Sequence, residues 1–442
     1  MRPVGGVPEV DFSVEDVRGT FPGQLEIKPL DRPPNATVQV PGSKSVTNRA
    51  LLLAALADGT SKIQNPLISD DSYWLLAALV RLGFEVHLNP KTTEARITGQ
   101  KGIIPRKDVE LFVGNAGTVA RFLPPALALG AGSYTVDGVP RMRERPVGDL
   151  VDAMRALGAG VRYGEEEGRF PLIVVGGGLR GGRTRVAGGK SSQFVSGLLM
   201  AAPYAGEPVV LEVEGREEWP YVGITVAVMR AFGVEVEVGE GWFAVGPEVY
   251  RAREYAVEPD ASGASYFMAA AAVTGGRVKI PGLGAGSTQG DLRFAGVLRE
   301  MGCRVELTPD SVEVERPGRL RGVEVDMNAF SDTMITLAAI APFAETPTVI
   351  KNVGHTRHQE TDRLSAVATE LGRLGVTVEE GRDWLRVTPG RVGATTVETY
   401  GDHRMAMAFA VTGLVAPGIR IQDPGCVTKT FPDYFNRLES LR

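Results

Sequence analysis

A chain of 442 residues, 43% hydrophobic and 23% charged, is too long for one ordinary core and has the composition of a globular protein. Its formal net charge of −5 excludes the broad basic surface of a nonspecific nucleic-acid binder, and no apolar run reaches the roughly 18 residues of a membrane span. Cys303 and Cys426 are too few and too far apart for a disulfide framework and fit a reducing compartment.

The segment Met1 to Phe12 lacks a basic stretch followed by an apolar one, so no signal peptide is predicted and a cytoplasmic location is expected. A small, polar and charged cluster recurs just ahead of an apolar, Ala/Leu-rich segment. The clusters begin near Lys44, Asn115, Ser191, Asp260, Asp332 and Asp402, at intervals of 69 to 76 residues. Repetition at a fixed period marks a repeated structural unit.

Each cluster is predicted to lead into a helix, such as Arg49 to Leu56 or Tyr266 to Ala272. A Gly-containing turn and a strand such as Arg277 to Ile280 follow, then a second, amphipathic helix such as Leu150 to Leu157. The unit closes on a Gly turn and a β-branched run: Leu82 to Val86, Phe232 to Val236, Leu374 to Val378. Six α/β units divide into two sets of three, which predicts two similar domains with a cleft between them. Each cluster then lies at a helix N-terminus, where free N–H groups and the positive dipole end favour anions. The chain can therefore hold a local anion site despite its acidic total.

The clusters carry the residue types that such chemistry needs. Pro41-Gly42-Ser43-Lys44-Ser45 turns the chain and opens a helix, with Arg49 about one turn on, so two cations can reach one ligand. Gly114-Asn115-Ala116-Gly117-Thr118 offers caps, donors and a close backbone approach at Gly117, with Arg121 following. Pro140-Arg141-Met142-Arg143-Glu144-Arg145 reads either as an anion clamp or as a solvated loop of ion pairs. Ser191-Ser192-Gln193 can cap its helix or bind phosphate and hydroxyls, and Asp260 reads mainly as a cap. Asp332 and Glu360 are carboxylates near cations and suit proton transfer, while Arg363, Arg404 and Lys429 add positive charge. A metal site is a poor reading, because His355-x-x-His358 lacks a third ligand at suitable spacing.

Taken in order, PGSKSVTNRALLLAAL, GNAGTVARF, PRMRERP, SSQF, DASGASYFMAAAA, QGDLRF, ETDRL, GDHRMAMAFA and KTFPDYF resemble the 5-enolpyruvylshikimate-3-phosphate synthase family. The resemblance runs from about Pro41 to Leu438. It implies an α/β fold of two similar domains, each of three repeated α/β units, an inside-out α/β barrel of the enolpyruvyl transferase kind. It also implies a discontinuous domain of residues 24–42 plus 258–442 and a second of residues 43–257, with residues 1–23 an N-terminal extension of no assigned role. The implied activity is transfer of the enolpyruvyl group of phosphoenolpyruvate to shikimate 3-phosphate through a tetrahedral intermediate. The expected partners are those two small molecules, without nucleic acid, membrane, metal or cofactor, and with a monomeric chain.

Carried over residue by residue, the family implies Asp332, Glu360 and Lys44 as the catalytic set. Shikimate 3-phosphate would meet Lys44, Ser45, Arg49, Ser191, Ser192, Gln193, Tyr221, Asp332, His355 and Gln359. Phosphoenolpyruvate would meet Lys44, Asn115, Gly117, Thr118, Arg121, Arg141, Gln193, Arg363, His403, Arg404 and Lys429. The chain departs from the family pattern where a lysine is usual and Gln359 stands, and where a serine is usual and Glu218 stands, both near the expected phosphate. Lys190, His355, Arg357 and His358 are the residues available to compensate. Two other readings are a UDP-N-acetylglucosamine enolpyruvyl transferase and a catalytically silent anion-binding protein on the same fold. The first typically carries Pro-Gly-Ala-Lys-Asn and a cysteine in the arginine-rich loop, where this chain has Pro-Gly-Ser-Lys-Ser and no cysteine. The second has no need of a proton-transfer pair.

Overall fold

A helix that is apolar on every side has to be enclosed by protein, and the segments behind the polar clusters are of that kind. The computed structural model describes residues 20–89, 92–187, 191–214 and 219–442. Lys44–Leu56 is buried from Val46 onward, Gly117–Leu127 and His403–Gly413 throughout, and Ala261–Thr274 up to its last residue. Ser192–Ala201 and Met334–Ile340 complete the set of six. Small residues let these helices meet at backbone distance. A Cβ on Gly197 would lie 2.4 Å from the Arg121 carbonyl oxygen, so Ser192–Ala201 seats against Gly117–Leu127 only with glycine there.

Each helix serves one small sheet, and the sheets share one pattern. Val109–Phe112 runs parallel to Ser133–Asp137, which pairs antiparallel with Leu172–Val175, which pairs antiparallel with Gly160–Tyr163. The buried helix Gly117–Leu127 is the crossover of the parallel pair. The same layout recurs around Gly182–Ala187 with Val209–Glu214 and around Glu324–Asp326 with Thr348–Lys351. The β-branched runs enter their strands at Glu85, Glu237 and Val378. Phe232 to Val236 thus comes just before its strand, with Val234 and Val236 buried where the chain returns from helix to sheet.

Three sheets borrow a strand from a distant part of the chain. Glu254–Ala256 runs parallel to Asp58–Gln64, and Asn35–Thr37 runs parallel to Arg277–Pro281. In the last sheet the hairpin is replaced by Gln24–Ile27, antiparallel to Ile419–Gln422. The chain accordingly forms two compact units, one of Lys44–Val257 and one of Glu258–Arg442 with the segment that ends at Ser43. Each has its own hydrophobic core. Residues 1–19 lie outside the described residues. Phe21 sets its ring edge against Phe435, and Gly23 accepts a hydrogen bond from the Asp423 amide at 3.0 Å.

The helix starts fall where the polar clusters are. Ser191, Asp260 and Asp402 are N-caps, accepting from the amides of Gln193 at 3.2 Å, Gly263 at 2.7 Å and Arg404 at 2.9 Å. Within a unit, neighbouring starts are stitched together. Asn48 Nδ2 donates to Thr118 Oγ1 at 2.6 Å in the first unit, and Arg404 reaches Asp332 in the second. No described helix is long and apolar enough to cross a membrane.

Candidate active site

In the first unit, Lys44 and Ser45 open their helix half-buried, and Lys44 Nζ lies 3.7 Å from Asp71 Oδ2. Arg49, one turn in, is fully buried. Its Nε donates to Thr225 Oγ1 at 2.7 Å, Nη1 to the Ser45 carbonyl at 2.7 Å, and Nη2 to Ser196 Oγ at 3.1 Å and the Tyr221 carbonyl at 3.0 Å. Its guanidinium also sits 4.9 Å from the Phe122 ring centroid. Burial pushes Arg49 down to about 9, so it is still a cation at neutral pH. It is thus a buried positive charge held by neutral acceptors, an arrangement that an anionic ligand would complete. The backbone of Tyr221 belongs to this set, and its ring is half-buried.

Asn115, Gly117 and Thr118 form the next helix start. The arginine-rich loop reaches this start through Arg145. A Cβ built on Gly117 would meet Arg145 Nη1 at 2.8 Å and Nη2 at 3.0 Å, so the guanidinium lies directly on the glycine. Arg145 Nη1 is buried with no hydrogen-bond acceptor among the described residues. Arg141 instead pairs with Glu144 at 2.7 Å on the exposed side of the same short helix, Pro140–Glu144. Arg143 is engaged by Asp137 at 2.5 Å and Glu165 at 3.0 Å. Arg121 is buried, with Nη1 2.8 Å from Met142 Sδ and its guanidinium near the Phe170 ring. Ser191, Ser192 and Gln193 stand half-buried at the third start. Lys190, Glu217 and Glu218 lie outside the described residues.

In the second unit one guanidinium organises the site. Arg363 opens the helix Arg363–Arg373 and is 1% exposed. Its Nη1 donates to Asp332 Oδ1 at 3.1 Å and also to Gln359 Oε1; its Nη2 donates to Glu360 Oε2 at 2.9 Å; its Nε donates to Asp402 Oδ2 at 2.8 Å. Arg404 Nη2 closes on the other oxygen of Asp332 at 2.6 Å, and Lys429 Nζ on the other oxygen of Glu360 at 2.9 Å. Burial works to lower Arg363, but Asp402, Glu360 and Asp332 outweigh it and raise it above the ordinary arginine value. Arg404 is raised likewise, against burial, chiefly by Asp332. Both stay charged, and the two carboxylates predicted to move protons share one cation.

Asp402 was visible only as the start of a cluster. It is fully buried, and it caps its helix while neutralising Arg363. His403 is also fully buried, with Nδ1 3.5 Å from Asp402 Oδ1. His355 Nε2 lies 2.8 Å from Ser331 Oγ, beside Asp332. Gln359 faces Arg363, a place where an amide oxygen accepts what a lysine could not. Arg357 is removed as a compensating charge. Asp362, Glu380, Ser365 and the carbonyls of Gly381 and Arg382 take up its donors. His358 is exposed. Among the described residues no group of three or more His, Cys, Asp or Glu side chains could hold a metal ion.

Comparison with known proteins places these residues in context. The family model described as EPSP synthase (3-phosphoshikimate 1-carboxyvinyltransferase) matches residues 31–438. The chain is 51% identical to the 3-phosphoshikimate 1-carboxyvinyltransferase of Nostoc punctiforme over 416 residues, 93% of this chain and 98% of that protein. It is 47% identical to the protein of the same name from Sulfurovum over 423 residues, 94% of this chain and 99% of that one. The EPSP synthase structure from Acinetobacter baumannii superposes with a TM-score of 0.81 at 24% identity, covering 95% of this chain and 98% of that one, a likeness of fold.

Proposed function

The chain belongs to the EPSP synthase family, and from that premise we propose how its own side chains carry the reaction. It transfers the enolpyruvyl group of phosphoenolpyruvate to the 5-hydroxyl of shikimate 3-phosphate, giving 5-enolpyruvylshikimate 3-phosphate and phosphate on the route to aromatic amino acids. Its relatives favour neither UDP-N-acetylglucosamine as acceptor nor a silent binding protein.

The acceptor hydroxyl adds to C2 of phosphoenolpyruvate while C3 gains a proton. The tetrahedral intermediate then loses phosphate from C2 and a proton from C3. Asp332 receives the hydroxyl proton, and Glu360 with Lys44 handles the proton at C3. The observation that carries this assignment is the single Arg363 guanidinium shared by Asp332 at 3.1 Å and Glu360 at 2.9 Å. Each carboxylate also has a second cation at its other oxygen, Arg404 for Asp332 and Lys429 for Glu360. Lys44, Ser45, Arg49, Ser191, Ser192, Gln193, Tyr221, His355 and Gln359 hold shikimate 3-phosphate. Gly117, Arg145, Arg363, Arg404 and Lys429 take the charges of phosphoenolpyruvate, along with Asn115, Thr118 and Arg121. The enzyme works as a cytoplasmic monomer with these small molecules as its partners. Sedimentation at working concentration tests the oligomeric state.

Asp332→Asn tests the chemistry. Turnover measured by phosphate release should fall by about 100-fold or more, while both KM values stay within a few fold. Near-normal turnover in that variant would falsify the role given to Asp332.

A further inference from the structure

A tight turn joins the strand Thr395–Val397 to the helix His403–Gly413. The Thr399 carbonyl accepts from the Asp402 amide at 2.8 Å. The two residues between them, Tyr400 at φ 55° and Gly401 at φ 67°, are both left-handed. These are the φ signs of a type I′ turn, whose first central position favours Asn, Asp and Gly. An aromatic residue is out of place there, because its Cβ crowds the backbone. A residue kept in an unfavourable conformation points to a contact that keeps it there.

That contact is Glu370, a carboxylate with no part in the reaction described above. It is fully buried on the helix Arg363–Arg373. Its Oε1 accepts from the Tyr400 hydroxyl at 2.8 Å and from Arg373 Nη1 at 2.9 Å. Its Oε2 accepts from the Glu398 amide at 3.1 Å and from Arg373 Nη1 at 2.8 Å. Glu370 therefore grips the chain on both sides of Thr399. Arg363 lies about two turns back along the same helix, on the same face. Asp402, the last residue of the turn, accepts from Arg363 Nε at 2.8 Å. Helix and turn thus meet twice, through Tyr400 at one end and Asp402 at the other. The second meeting point carries the guanidinium that Asp332 and Glu360 share. Asp402 is enclosed by protein and also accepts from the Arg404 amide, so its place follows that of the turn.

We propose that Tyr400 and Glu370 are positioning residues for the reaction. Their hydrogen bond fixes the turn against the helix, the turn fixes Asp402, and Asp402 holds Arg363 where both carboxylates reach it. A tyrosine stands at this position because its hydroxyl spans a gap that the turn-favouring residues are too short to cross. The proposal rests on the reading of Arg363 as the shared partner of the two proton-transfer residues.

The test is steady-state kinetics on Tyr400→Phe, Tyr400→Asn, Asp402→Asn and the double variant Tyr400→Phe/Asp402→Asn, with circular dichroism giving the folded fraction of each. Tyr400 is 40% exposed, so Tyr400→Phe keeps the ring in place and loses only the hydroxyl. Its kcat/KM for phosphoenolpyruvate should fall about tenfold per folded molecule, since small displacements within an active site are costly in rate. Tyr400→Asn gives the turn a favoured residue without the reach, and should be impaired at least as much. Asp402→Asn should lose about tenfold or more. Adding Tyr400→Phe to it should cost less than about twofold further, because residues that act through one another are not additive. A role in stability alone predicts an unchanged kcat/KM per folded molecule in Tyr400→Phe, and that result overturns the proposal. Wild-type kcat/KM in Tyr400→Asn overturns it too, as does a double variant in which the two losses multiply. If Asp402→Asn has normal kinetics, the reading of Arg363 fails and the proposal with it. If Asp402→Asn is impaired while Tyr400→Phe is normal, only the role of Tyr400 and Glu370 is lost.

Discussion

The Arg145 guanidinium rests on the one position of its helix start that has no side chain, and this geometry makes a residue-level prediction. A methyl group on Gly117 would overlap Arg145 Nη1 at 2.8 Å, and that end of the side chain is free to shift. Gly117→Ala should therefore fold normally and misplace the cation. A charge-assisted hydrogen bond is worth about 1.5–3 kcal/mol, so KM for phosphoenolpyruvate should rise about tenfold or more, with KM for shikimate 3-phosphate within about twofold. Steady-state kinetics with each substrate varied in turn would show it. An unchanged phosphoenolpyruvate KM would mean that Arg145 does not touch that substrate. The importance of Gly117 is legible in GNAGT, but its neighbour is not. Arg141 and Arg145 are equivalent in sequence, and only the structure shows which of them lies on the glycine.

At the scale of elements, the polar clusters are helix starts, and their caps are not interchangeable. Asp260 caps Gly263 at 2.7 Å, and its loss to alanine should cost about 1 kcal/mol. Asp402 caps its helix and also faces Arg363, with both side chains inside the protein. Asp402→Ala strands a buried guanidinium and should cost roughly 3–5 kcal/mol. Urea titrations of the two variants at neutral pH measure the contrast. Equal losses would show that Arg363 is balanced well enough by Asp332 and Glu360 alone. The strength of the helix signal came from composition: stretches such as Ala264 to Ala272 have no polar face to offer solvent.

At the scale of the whole molecule, the topology is asymmetric. All strands of the three sheets in Lys44–Val257 come from within that stretch, including Glu254–Ala256 beside Asp58–Gln64. Glu258–Arg442 depends on Gln24–Ile27 and Asn35–Thr37 from the segment that ends at Ser43. A fragment of residues 44–257 should fold cooperatively by circular dichroism and run as a single species in size exclusion. A fragment of residues 258–442 should expose two sheet edges and aggregate, since an unpaired edge invites pairing with another chain. Adding residues 20–43 to its N-terminus through a flexible linker should restore solubility. A soluble, cooperative 258–442 fragment would show that the borrowed strands are dispensable.

Sequence by itself determined the repeat, the six helix starts and the identity of Asp332, Glu360, Arg363, Arg404 and Lys429 as a charged set. These are local matters: periodic burial, caps and the chemistry of residue types survive without knowledge of the partner. Tertiary structure alone decided which charges meet. Arg363 faces four side-chain acceptors, and Arg357 spends itself on Asp362 and Glu380. A guanidinium has five donors and several reachable carboxylates in any such sequence. Packing selects among them, because a buried charge left without its partner costs more than the fold can spare.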